Sequence, residues 1–220
     1  MPRSRHVDAF NHDEEAAGYD RDVGNEDDPI RAGYAALLDW IVERARIDAT
    51  SRVVELGSGT GNLTARLPRA REIVCVDVST EMTSIARAKL GGRSDVRFEA
   101  CDLLEWFDRD LAAVDAIVSS YAIHHLTDDE KADLFGRMHA RVVPGGRLAL
   151  GDLMFETAAD WVPMLEKYRD LGRAHVAEGI QEEFFWDLAR AREELGALGF
   201  EVETQRFSDL SWGVAATRRA

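Results

Sequence analysis

Between Val53 and Thr64 the chain reads VVELGSGTGNLT, and few chemistries suit residues of these types at this spacing. Gly57, Gly59 and Gly61 follow an apolar, β-branched run, so they predict a loop between a strand and a helix with backbone amides open to a ligand. A dinucleotide loop reads G-x-G-x-x-G, yet the position its third glycine would take is Asn62. Glu55 stands two residues before the first glycine, where its charge would oppose a pyrophosphate held on helix N-terminal amides. The same carboxylate suits a cationic ligand.

Two further acids fall at informative places. Asp77 comes 20 residues after Gly57, the spacing at which a carboxylate accepts the hydroxyls of a ribose. In EACDLLEW, Asp102 is able to take an adenine amino group while Leu103 covers the ring. A ligand with a sulfonium, an ammonium, a ribose and an adenine meets all of these residues, and S-adenosylmethionine is that ligand. An NAD(P)-dependent oxidoreductase shares the ribose acid, but Asn62 and Glu55 oppose it. A catalytically inactive S-adenosylmethionine-binding protein is the third reading, since the loop and its acids need only preserve binding.

The elements that must position these residues alternate along the chain. Strands are expected at 52–56, 72–78, 96–100, 114–120 and 146–153, the last opened by the turn PGG, with helices at 61–67, 80–90 and 128–142. Apolar strands separated by helices predict an α/β fold with a mostly parallel sheet covered on both faces. GFEVETQRF and SWGVAATR are separated by only SDL, which forces an antiparallel hairpin at the C-terminus. Ahead of the first strand, Asp28 and Pro29 suggest a helix start, and Tyr34, Leu37, Leu38, Ile41 and Val42 carry it at helical period through Ala45. Residues 1–28 are polar and acidic and are expected to form a flexible arm with local helix near Asp13 to Tyr19. Residues 29–220 then form a single domain, carrying a lid-like helical insertion at about 155–198, with helices near 159–173 and 181–198.

Of 220 residues, 41 are acidic and 27 basic, a net charge of -14 that repels phosphate backbones and anionic membranes. Nucleic acid and membrane are therefore not expected as partners. Cys75 and Cys101 have no metal-like spacing and are expected to be reduced core thiols in a cytoplasmic protein. No stretch reaches the ~20 apolar residues of a membrane span, and the first 20 residues lack the apolar core of an export signal. His12 with Asp13, Glu14 and Glu15 reads as a solvated acidic helix end, and no metal is expected.

Through VVELGSGTGNLT, VDVS, CDLLEW, IVSSYAIHHL and PGGRLALGDL the chain resembles the class I S-adenosylmethionine-dependent methyltransferases. The early AAGYD and the stretch SSYAIHHLTDDEK make it most similar to the small bacterial YrrT-type methyltransferases. The resemblance implies a Rossmann-like sheet of seven strands. It places Glu55, Gly57, Ser58, Gly59 and Gly61 around the methionine moiety, Asp77 on the ribose, Val78 and Met82 beside the adenine, and Asp102 and Leu103 at its edge. Ser119 would lie beneath the sulfonium, and Tyr19 would close over the cofactor from the arm.

The sulfonium is already a strong electrophile, so in-line orientation, able to contribute roughly 7 to 11 kcal/mol, matters more than acid or base groups. If the acceptor must lose a proton, the best-placed residues are His124 first, then His125 and Tyr121, because imidazole titrates near neutrality. Trp161, Met164, Tyr168, Phe184, Phe185 and Trp186 make the insertion aromatic and suited to roof an apolar acceptor or, equally, to form helix core. Enzymes of this superfamily that methylate exocyclic base amines or glutamine amides typically carry an Asp or Asn, two prolines and an aromatic where this chain has SSYA. A small-molecule methyl acceptor is the expectation.

Overall fold

In the computed structural model, which describes residues 4–9, 12–109 and 112–220, five strands run parallel: β1 (Arg52–Leu56), β2 (Glu72–Asp77), β3 (Val96–Ala100), β4 (Val114–Ser120) and β5 (Val142–Phe155). A two-residue strand, β6 (Trp186–Asp187), pairs with the end of β5. The chain closes with β7 (Phe200–Arg206) and β8 (Ser211–Arg218), the latter antiparallel to both β5 and β7. The order β3-β2-β1-β4-β5-β8-β7 reverses direction between β1 and β4. At such a switch point the loops beyond the strand ends diverge and open a crevice for a ligand.

Alternation along β1 explains the two layers. Val53 faces the cluster formed with α2 (Tyr34–Ala45), whose Leu37, Leu38 and Ile41 are fully buried. Val54 and Leu56 face the opposite cluster, with Trp106 of α5 (Leu103–Phe107), Phe135 of α6 (Asp128–Arg141) and Leu195 of α9 (Leu188–Ala197). Each fully buried aliphatic side chain contributes about 1.5 to 3 kcal/mol, so burial on both faces anchors a strand of only five residues. Cys75 and Cys101 are buried free thiols. Among the described residues no helix is long and apolar enough to cross a membrane.

Several boundaries differ from the sequence expectation. The leading helix begins at Tyr34 rather than after Pro29, because Gly33 takes φ 79° and a Cβ there would meet Phe207 at 2.9 Å. Asp28 caps a turn instead, accepting the Ile30 amide at 3.0 Å. In the arm, residues 13–18 form turns and the helix is α1 (Tyr19–Val23). β5 begins at Val142, and the PGG segment forms an irregular stretch of that strand, with a register shift opposite β4 between Val114 and Ala116. α5 was not foreseen; Asp102 caps it, accepting the amides of Leu104 and Glu105. The insertion forms α7 (Trp161–Asp170) and α8 (Ala174–Glu182), separated by Gly172 at φ 68°. The expected helix at 181–198 is interrupted at 183–187, where the chain extends into β6 before Asp187 caps α9 through the Arg190 amide. The remaining helices, α3 (Asn62–Arg66) and α4 (Thr80–Leu90), follow β1 and β2.

Candidate active site

The glycine loop is shaped by its first glycine. Gly57 adopts φ 66°, and a Cβ on it would stand 2.2 Å from the Cβ of Ala122, so the loop and the segment after β4 approach as closely as they do only because position 57 has no side chain. The amides of Gly57 and Ser58 donate to the Val76 carbonyl at 2.8 and 3.1 Å, fastening the loop to β2. Asp77 completes the fastening: the Gly59 amide donates to Oδ2 at 2.6 Å and the Ser79 amide to Oδ1 at 2.8 Å. Burial raises the Asp77 pKa, and these amides partly offset the rise.

Glu55 lies under this loop rather than in it. Its carboxyl is buried and accepts the Thr64 hydroxyl at 2.6 Å. Burial, opposed in part by that hydrogen bond, pushes its pKa up to about 8. Ser119 is likewise beneath the loop, its hydroxyl donating to the Leu56 carbonyl at 2.8 Å.

Beyond β4 the chain turns sharply at Tyr121, which takes φ 51° and shares a 2.6 Å hydrogen bond with the Ser211 hydroxyl. A 3-10 turn over Ile123–His125 follows. Its residues are spaced by about a third of a turn, so the two adjacent histidines point in different directions. His124 is buried with Nδ1 2.5 Å from Asp152 Oδ1, and Asp152 Oδ2 accepts the amides of Ile123 and His124 at 2.9 and 3.0 Å. Burial opposes ionisation of His124, but the Asp152 charge and hydrogen bond prevail and raise its pKa. His125 reaches the arm instead, with Nε2 3.1 Å from Nε2 of His12. Burial, reinforced by the neighbouring His124 and His12, holds the His125 pKa well below the ordinary histidine value.

The arm is docked across these loops. The Ser4 hydroxyl bonds to Asp102 Oδ2, the Arg5 amide donates to Glu130 at 2.7 Å, and Asp13 accepts the Ser79 hydroxyl at 2.5 Å. Asp20 accepts the Thr60 hydroxyl at 2.6 Å and pairs with Lys89 at 2.8 Å. The Arg31 guanidinium sits over the rings of both Tyr19 and Tyr121.

Between arm and sheet lies a partly open cleft whose free cavity volume, with the arm docked, is only about 90 Å³. Of the residues expected at a cofactor, Tyr19, Gly57, Gly59, Asp77, Val78, Met82, Asp102 and Leu103 line it, whereas Glu55, Ser58, Gly61 and Ser119 do not. Of the three expected beside the acceptor, Tyr121 and His125 line it and His124 does not, which reverses the expected order of the histidines. The physical reason is Asp152, whose carboxylate draws His124 inward. The arm residues Ser4, Val7 and His12 were missed as lining. Asp152 was also missed, although an acid at the end of GRLALGDL was the available signal. The roof is arm rather than insertion: Trp186 packs on Phe135 in the core, Phe185 stacks on Phe155, and Trp161 is surface-exposed with its indole nitrogen on the Ile180 carbonyl. Of His12 and its three acidic neighbours, Asp13 faces Ser79, while His12 has Nδ1 3.8 Å from Glu15 and Nε2 against His125.

A switch-point cleft, a G-x-G-x-G loop and acids ending β2 and following β3 define the class, a Rossmann-like S-adenosylmethionine-dependent methyltransferase. Residues 53–146 match the model of a methyltransferase domain. The chain is 31% identical over 206 residues to a methyltransferase of Oceanobacillus iheyensis, covering 92% of this chain and 93% of the relative. It is 33% identical over 208 residues to the methyltransferase YrrT of Bacillus subtilis, covering 93% and 94% respectively. The protein therefore belongs to the YrrT-type methyltransferase family. A structure of DhpI in complex with SAM and HEP shares the fold, with a TM-score of 0.68 at 21% identity and 99% of each chain covered.

Proposed function

We propose that this enzyme moves the methyl group of S-adenosylmethionine to a small-molecule acceptor by in-line displacement, releasing S-adenosylhomocysteine. The observation that carries the reading is the composition of one cleft. Gly57, Gly59, Asp77, Val78, Met82, Asp102 and Leu103 line it together with Tyr121, His125, His12 and Tyr19. The first group suits the nucleoside, and the second supplies the polar and aromatic side chains that would face a methyl acceptor. Asp77 is the ribose ligand in this reading, and Asp102 the acid at the adenine edge.

Of the two histidines, His125 is the one beside the acceptor, since it lines the cleft next to His12. His124, buried against Asp152, is the residue that fixes the turn on which His125 stands. A cleft this closely covered by the arm favours a small acceptor over a polymer, and the chain's excess of acids disfavours a polyanion.

Parallel calorimetric titrations with S-adenosylmethionine, S-adenosylhomocysteine and NADH test the reading. Saturable binding of the first two alone is expected, followed by methyl transfer on a panel of thiol, amine, hydroxyl and carbon acids. Binding of NADH alone would sink it, and binding of the first two without turnover on any acceptor would favour a non-catalytic role.

A further inference from the structure

Groups that the sequence scatters over 60 residues meet beside this cleft. His124 and His125 occupy the 3-10 turn after β4, and Glu183 is the C-cap residue just past α8. One ligand atom from each lies within 4.8 Å of the others. The Phe184 amide donates to the His124 carbonyl at 3.0 Å, so the backbone itself holds the two segments together.

The tautomer of His124 follows from its partner. Asp152 is a carboxylate already accepting the amides of Ile123, His124 and Leu153, so Nδ1 of the ring is the donor in the 2.5 Å contact. Nε2 then faces Oε2 of Glu183, 3.5 Å away, as a lone pair in the neutral ring or as an N–H in the protonated ring that Asp152 favours. Two electron-rich atoms facing each other next to a buried ring require a cation between them or a proton on one of them. A carboxylate holding the far nitrogen of an imidazole is also the arrangement that orients histidines toward metals.

The spacing suits a metal. Zinc bonds of about 2.0 to 2.2 Å at a tetrahedral angle put neighbouring ligand atoms roughly 3.3 to 3.6 Å apart, which brackets the His124 to Glu183 separation. Nε2 of His12, on an arm residue held at φ 54°, lies 3.1 Å from Nε2 of His125, close to the same edge. Two imidazoles with one carboxylate is a donor set of catalytic zinc, which leaves a fourth position for water or substrate, and nitrogen donors disfavour magnesium and calcium.

We propose that His124, His125 and Glu183 form a site for a divalent transition-metal ion of the zinc type, positioned by Asp152, with His12 of the arm beside its open position. Because His12 and His125 line the cleft, the open position is turned toward the acceptor. The role of the ion rests on the methyl-transfer reading: a thiol or hydroxyl acceptor coordinated there releases its proton to solvent. The heteroatom then bonds to the methyl carbon while the pair of the breaking carbon–sulfur bond stays on sulfur, which leaves as the neutral thioether.

The full chain, freed of metal by a chelator that is then removed, is titrated with zinc chloride by calorimetry and with cobalt chloride by visible absorption, both without S-adenosylmethionine. The expected result is one equivalent of zinc and the intense cobalt band of a four-coordinate site. Glu183→Gln and Asp152→Asn are expected to weaken zinc binding by roughly 10- to 100-fold, and His175→Ala, at an exposed histidine paired with Asp28, to leave it unchanged. Absence of both signals in the wild-type chain would mean that a proton bridges His124 and Glu183, and would overturn the metal site. Stoichiometric binding untouched by Glu183→Gln would overturn the assignment. Neither failure bears on cofactor binding, which the separate titrations with S-adenosylmethionine and NADH decide.

Discussion

His124 and Asp152 form a buried pair, Nδ1 to Oδ1 at 2.5 Å, in which the carboxylate also accepts the amides of Ile123 and His124 in the turn that carries His125. One acid at the end of β5 thus fixes the backbone after β4, the tautomer of one histidine and, through the turn, the direction of the next. Asp152→Asn replaces an acceptor-only group by one that must aim an NH2 at an amide or at the ring. A loss of about 2 to 3 kcal/mol is expected, read as a lower urea midpoint at unchanged slope. An unaltered midpoint would mean that the pair contributes nothing net to folding.

Gly57 gives a sharper steric test. With φ 66° and a Cβ position 2.2 Å from Ala122 Cβ, Gly57→Ala must push the loop away from the segment leading to His125. Both the strained backbone and the displaced contact oppose it, at a cost of about 1 to 3 kcal/mol. The loop amides on Asp77 move with it, so affinity for S-adenosylmethionine is expected to fall at least tenfold by calorimetry. Retained affinity in the folded variant would show that the loop does not shape the cofactor site.

The arm competes for the same chemistry. The Ser4 hydroxyl bonds to the Asp102 carboxylate, and Ser4 and Val7 stand in the cleft lining beside Leu103. If Asp102 receives the adenine amino group, the cofactor must first displace that hydroxyl. Ser4→Ala removes a hydrogen bond worth about 0.5 to 1.5 kcal/mol, and S-adenosylmethionine is expected to bind roughly 2- to 10-fold more tightly. Equal affinity in variant and wild type would separate Asp102 from the adenine.

What the sequence made legible, and what it hid, follows from the range of the interactions involved. The strands at 52–56 and 114–120 match the structure because a largely buried strand announces itself in its own apolar residues, and the half-exposed edge strand at 96–100 also matches. The glycine loop and Asp77 were legible because their geometry is local to one strand-loop-helix unit. The order of His124 and His125 was not, since adjacent histidines differ only in which way a turn aims them, and the acid that decides is 28 residues away. Glu183 was hidden for the same reason, and the start of α2 was misplaced because the clash that requires Gly33 involves Phe207, far along the chain. The docking of the arm depends on single hydrogen bonds from Ser4, Asp13 and Asp20 to distant loops, which no periodicity records.

Glu55 links folding to the cofactor through a proton. Burial lifts its pKa from 4.5 to about 8, so between those values the folded chain holds a proton that the unfolded chain has lost. Stability attributable to this group is full below the unfolded pKa and declines as pH rises toward 8, by about 1.4 kcal/mol per pH unit at most. Glu55→Gln, which keeps an acceptor for Thr64 but does not titrate, should lack this decline, so its stability relative to wild type should rise between pH 5 and 8 in urea titrations. The same group tests the site. At pH 7 the carboxyl is protonated in the free enzyme, and an ammonium brought near it by the methionine moiety would favour the carboxylate. Binding of S-adenosylmethionine is then expected to release up to about one proton at pH 7, measured as a dependence of the calorimetric heat on the ionisation enthalpy of the buffer. Release from wild type that vanishes in Glu55→Gln would tie this acid to the cofactor. Identical heats in all buffers would leave Glu55 as a structural partner of Thr64 alone.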